Sequence, residues 1–126
     1  MKKRAIVIIV FVFLIVVNLP VINTEILKRV DGEHFRYSNA NGSLTTVEHI
    51  DILQPWMSEW TVGRFARERH PSDENKEMFR IYRINPLCFW RWRYYWVVGR
   101  KFKYRSWDEI EPNRVPRIPD NMWQQF

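Results

Sequence analysis

The chain has 126 residues, 46% of them apolar, and 20 basic against 14 acidic side chains give it a net charge of +6. Its one cysteine, Cys88, excludes an internal disulfide, and its length leaves room for one modest domain beyond the first 22 residues. Three basic residues precede Ala5. Beyond Ile22 the balance is 17 basic against 14 acidic, or +3, too weak for the dense positive field of a nucleic-acid binder.

The N-terminal stretch Ala5–Ile22 organises the rest. Thirteen residues from Ala5 to Val17 carry no polar side chain, and after Asn18 the apolar character resumes through Leu19, Pro20, Val21 and Ile22. As a helix rising ~1.5 Å per residue, eighteen residues cover ~27 Å, close to the ~30 Å hydrocarbon core of a bilayer. Lys2, Lys3 and Arg4 stand directly in front. A buried core segment would show a polar face or a shorter run. A cleaved signal peptide would end in small residues, and Asn18–Thr24 offers no small-x-small pair. No cysteine follows the run to take a lipid. The expectation is an uncleaved membrane anchor over residues 1–22, with a secreted domain after signal cleavage as the alternative. Asn18 and Pro20 suit the interface at its far end.

Lys/Arg counts on the two sides are nearly balanced: Lys2, Lys3 and Arg4 against Lys28, Arg29 and Arg36. The N-terminal cluster lies closer, and Glu25, Asp31 and Glu33 dilute the other. This favours a cytoplasmic N-terminus and an extracytoplasmic domain. The short basic leader and compact length point to a bacterial envelope.

The remainder reads as a small α+β domain, residues 23–112, with an extended Pro-rich tail over 113–126. Thr24–Asp31 continues the helix until Gly32. His34–Tyr37 alternates as a strand, Ser38–Ser43 contains the hairpin signal Asn-Gly, and Ser43–Val47 is the return strand. Pro55 opens an amphipathic helix to Arg69. His70–Lys76 is a polar loop. Met78–Ile84 is a second β-type stretch. Asn85-Pro86 signals a short helix to about Trp92.

Gly99-Arg100 then predicts a tight hairpin between residues 93–98 and 101–105. Its register sets Val97 opposite Phe102 and Tyr95 opposite Tyr104. Its other face would lay Lys103 and Arg105 against Trp96 and Tyr94. Ser106-Trp-Asp-Glu109 is a capping box for a helix that Pro112 ends. In the tail, Met122, Trp123 and Phe126 could dock on the domain or elsewhere.

The run Phe89–Trp96 interleaves Trp, Tyr and Arg. These residues suit a membrane interface, a protein hot spot, single-stranded nucleic acid or the core of a small domain. The expected interaction surface is Trp90, Arg91, Trp92, Arg93, Trp96, Lys103 and Arg105. The histidines His34, His49 and His70 have no metal-ligand spacing; Glu48 and His49 would point to opposite faces of a strand. No nucleophile elbow, phosphate loop or dinucleotide fingerprint is present. No cofactor or metal is expected, and Cys88 reads as an inert small hydrophobe.

The expected function is therefore non-enzymatic. The chain reads as a single-pass membrane protein acting as a binding or accessory subunit at the cell envelope. Its expected partners are the lipid bilayer and another membrane or envelope protein. The competing reading is a small membrane-tethered enzyme with a site built from His49, Asp51 or His70.

Overall fold

The computed structural model describes residues 1–31, 34–47 and 57–126, with the backbone alone for 57–59. Helix α1 (Lys2–Val17) carries the apolar run and helix α2 (Pro20–Val30) follows it. The expected continuous helix through Ile22 is broken at Asn18-Leu19, and the two axes meet at 77°. The cause is local. Pro20 has no N–H to donate and restricts Leu19 to an extended conformation, φ −66° and ψ 141°. Pro20 is then pre-set for the first turn of α2. Among the described residues no single helix is long and apolar enough to cross a membrane. The bent pair reaches that measure by length and composition together.

The first hairpin forms much as expected. Strand β1 (Arg36–Asn39) pairs antiparallel with β2 (Thr45–Val47), with Tyr37 opposite Thr46. The turn between them puts Gly42 at φ +67°, a conformation that side chains other than glycine rarely adopt. Helix α3 (Met57–Arg69) matches the amphipathic segment, though Pro55 and Trp56 lie outside the described residues. Strand β3 (Met78–Arg80) runs antiparallel to β1 on the side away from β2.

The second hairpin does not form. Residues Trp92–Val97 are a helix, α4, preceded by a 3-10 turn at Phe89–Arg91 and followed by another at Gly99–Lys101. A two-residue hairpin turn led by glycine needs φ > 0 there, and Gly99 does not adopt it. The 3.6-residue period explains the outcome. Tyr94, Tyr95 and Val98 fall on one buried face of the segment, while Trp92 and Trp96 fall on an exposed one. Strand β4 (Lys103–Tyr104) then pairs in parallel with β3, Lys103 opposite Phe79, not with residues 93–98. The described sheet therefore has the order β2-β1-β3-β4.

The helix expected from Pro86 is corrected too. Asn85 instead closes a turn by accepting from the Leu87 N–H at 3.1 Å, and the α-helix begins only at Trp92. Helix α5 (Trp107–Ile110) starts after Ser106 as expected. The Ser106 side chain, however, makes no capping bond, and the chain continues as a 3-10 turn through Pro112 to Asn113.

The core lies between the sheet, α3 and α4. Phe35, Tyr37, Tyr82, Tyr94, Tyr95 and Phe102 form its aromatic centre, with Leu27, Leu44, Phe65, Met78 and Trp123 around them. Three phenols meet inside it: Tyr37 hydrogen-bonds to Tyr82 at 2.7 Å and also to Tyr94. Burial raises the Tyr82 pKa to about 12, so that phenol stays neutral. The tail docks on the domain. Trp123 packs at 5.4 Å from Phe65, and residues 123–125 bridge in parallel to Thr45 at the free edge of β2. That edge is thereby covered.

Candidate functional site: the joint between the apolar helix and the aromatic segment

Two asparagines build the joint. At the end of α1, Asn18 donates from Nδ2 to the Leu14 carbonyl at 2.9 Å and to the Phe89 carbonyl at 3.0 Å. Its Oδ1 accepts the Arg93 N–H at 3.0 Å. On α2, Asn23 is fully buried. Its Nδ2 donates to the Val17 carbonyl at 2.9 Å and to the Trp90 carbonyl at 2.5 Å. Each amide thus ties a helix-end carbonyl to the backbone of residues 89–93. Such carbonyls have no partner within their own helix, so the break costs less than it otherwise would.

A buried ion pair locks the other end of α2. The Arg91 guanidinium meets Asp31 on two sides, Nη2 to Oδ1 at 2.6 Å and Nε to Oδ2 at 2.9 Å. The Trp90 indole N–H adds a third bond to Oδ2 at 2.9 Å. Both side chains are largely buried, at 5% exposure for Asp31 and 12% for Arg91. Burial alone would raise the Asp31 pKa. The bonds from Arg91 and Trp90 outweigh it and hold the carboxyl below its ordinary range. The same carboxylate raises the Arg91 pKa. Arg91 also reaches His34 Nε2 at 3.1 Å and Tyr95 Oη at 3.3 Å. Burial, and then the Arg91 charge, lowers the His34 pKa, so the ring favours its neutral form.

The residues expected to share one interaction surface are distributed over three places. Trp90 and Arg91 turn inward to Asp31. Trp92, Arg93 and Trp96 belong to α4, where Trp92 and Trp96 are exposed one turn apart. Lys103 and Arg105 belong to the far edge of the sheet. There Lys103 lies 3.7 Å from Glu77, and Arg105 stacks at 4.1 Å on Phe79. The expected stacking of Lys103 on Trp96 is replaced by Arg100, whose guanidinium lies 3.9 Å from the Trp96 ring centre.

No family model, curated protein or solved structure matches this chain. The geometry alone therefore carries the functional reading.

Of the enzyme candidates, His49 and Asp51 lie outside the described residues, and His70 is exposed at the end of α3 with φ +46°. A cavity of about 480 Å³ lies between the β1–β2 turn, α3 and the tail. Phe65, Trp123, Val115 and Ile118 give it apolar walls, and Arg69 is the charged residue in its lining. Among the described residues no carboxylate, histidine, lysine or thiol faces it, so that part of the lining offers no acid–base pair. Among the described residues no cluster of His, Cys, Asp and Glu has the geometry to hold a metal ion. Cys88 is half-buried and unpaired.

Asn18 and Asn23 are the residues that sequence reasoning missed as a pair. Asn18 alone suits an interfacial position, and nothing local marks Asn23. Beyond the nearby Leu14 and Val17 carbonyls, each donates to an acceptor 67 to 71 residues away along the chain, outside any periodic pattern.

Proposed function

We propose that the chain is a single-pass membrane protein, with α1 in the bilayer and a small α+β domain held rigidly against its surface. It acts by binding, as an accessory subunit at a bacterial envelope, with the N-terminus cytoplasmic and the domain outside. The observation that carries this reading is the environment of α1. Every apolar side chain from Ile6 to Phe13 is at least half exposed. An apolar surface on all sides of a helix suits lipid, where its backbone satisfies itself.

The length is short but workable. Sixteen helical residues rise ~24 Å, against a hydrocarbon core of ~30 Å. Lys2, Lys3 and Arg4 reach outward on long stems, and the exposed Leu19 and Ile22 extend the apolar length at the elbow. Local thinning of the bilayer supplies the rest. With α1 upright, the 77° bend leaves α2 about 13° from the membrane plane, since 90 minus 77 is 13.

Fractionation tests the reading. The full-length chain is expected to pellet with membranes, to resist alkaline carbonate and to require detergent for release. Protease added outside should digest the domain. Recovery of the intact chain in the soluble fraction would overturn it.

A further inference from the structure

From Met78 to Trp107 the chain carries eight Lys and Arg residues and no Asp or Glu. Most of these cations are engaged within the fold. Arg91 is paired with Asp31, Lys103 lies beside Glu77, and Arg105 stacks on Phe79. Arg80 donates to the Phe102 and Tyr82 carbonyls, and Arg83 to the Tyr104 hydroxyl. Arg93 makes no ion pair among the described residues, and Arg100 rests on Trp96.

Arg93 and Arg100 stand beside an unusual apolar group. Leu87 is 85% exposed, Trp96 66% and Trp92 43%. Trp92 and Trp96 share one face of α4, and the Trp92 indole donates to the Pro86 carbonyl at 2.7 Å, which ties it to the loop bearing Leu87. The segment that carries this patch also touches the apolar helix. Phe89, between Leu87 and Trp92, packs its ring 5.8 Å from Phe13 of α1. Phe13 lies five residues before the elbow at Asn18, or about 7.5 Å along the axis. The 89–93 backbone is itself bonded to Asn18 and Asn23.

We propose that Leu87, Trp92 and Trp96, with Arg93 and Arg100, form a second seat on the same bilayer, at the headgroup level of anionic lipids. This inference rests on the membrane reading of α1. Indole rings with one polar edge settle at the boundary between hydrocarbon and water, and Arg reaches lipid phosphate from beside them. The acid-free stretch removes the repulsion that carboxylates would add against an anionic surface. The domain thus meets the membrane twice, through α1 and through the outer face of α4.

The test places an environment-sensitive fluorophore on full-length protein in vesicles of phosphatidylcholine, with or without phosphatidylglycerol. The label sits at Leu87→Cys in a Cys88→Ser background, with Phe11→Cys and Glu74→Cys as references. Lipids bearing a shallow nitroxide should quench the label at position 87 and spare the label at position 74. Deep nitroxides should quench the label at position 11. Phosphatidylglycerol should strengthen quenching at position 87. Arg93→Gln and Arg100→Gln should each lower the ratio of seated to unseated domain about fivefold. Lipid quenching at 11 but not at 87 overturns the second seat and leaves the anchor standing. Quenching at 87 but not at 11 overturns the anchor and keeps the seat. Quenching at neither overturns both.

Discussion

Asp31 anchors the far end of the joint. It accepts from Arg91 twice and from Trp90 once, in a site nearly closed to water. Asp31→Asn keeps the shape and removes the charge, leaving Arg91 buried without its counter-ion. Loss of one partner of a buried pair costs about 3 kcal/mol. Urea unfolding in detergent should read that loss, and Asp31→Leu with Arg91→Met should recover part of it. Acid should act on the same cluster in two steps. His34 has a folded pKa below its ordinary 6.5, so its contribution is complete above that value and falls as pH drops toward the folded one. Asp31 has a folded pKa below 3.8, so its contribution is complete above 3.8 and is lost as pH falls through the folded value. Both steps lower stability on acidification. A pH series of unfolding midpoints should lose the first step in His34→Gln and the second in Asp31→Asn.

At the scale of elements, the two glycine turns behave differently. Gly42 sits at φ +67°, and a Cβ there would stand 2.8 Å from Cγ of Arg114. Gly42→Ala should therefore destabilise by about 1–2 kcal/mol, read as a lower thermal midpoint. Gly99 has no positive φ, and a Cβ would meet the Tyr82 hydroxyl at 3.0 Å, so packing alone decides its substitution. This contrast also explains what the sequence made legible. Asn41-Gly42 lies between polar turn residues and β-branched ones, and local chemistry alone dictates that hairpin. Residues 92–98 satisfy two periods at once, because aromatic residues suit a strand while their burial follows a helix. Tertiary packing chose the helix: Tyr94 and Tyr95 had to reach Phe35, Tyr37 and Tyr82 in the core. The elbow was half legible. Pro20 marks a break, but the bonds that fix its angle come from residues 89–93 and leave no local trace. The aromatic run, likewise, is both core and surface, divided residue by residue around α4.

For the whole molecule, the joint sets how the domain is carried. Asn18, Asn23 and the Asp31–Arg91 pair fix both ends of α2 to the same segment. Spin labels at Phe11→Cys and at Glu109→Cys should give a single narrow distance distribution in bilayers. Asn18→Ala with Asn23→Ala should broaden it, while the domain itself still unfolds cooperatively. An unchanged distribution in the double variant would show that the remaining contacts suffice.

A fixed elbow has a geometric corollary. Each residue added within α1 turns everything upstream of the insertion by about 100° relative to the globule. One alanine inserted after Val12 would barely lengthen the rod, yet would swing the lysine-bearing end and its flanking side chains to a new compass heading. A neighbour that recognises both the greasy rod and the globule would then meet only one of them at a time.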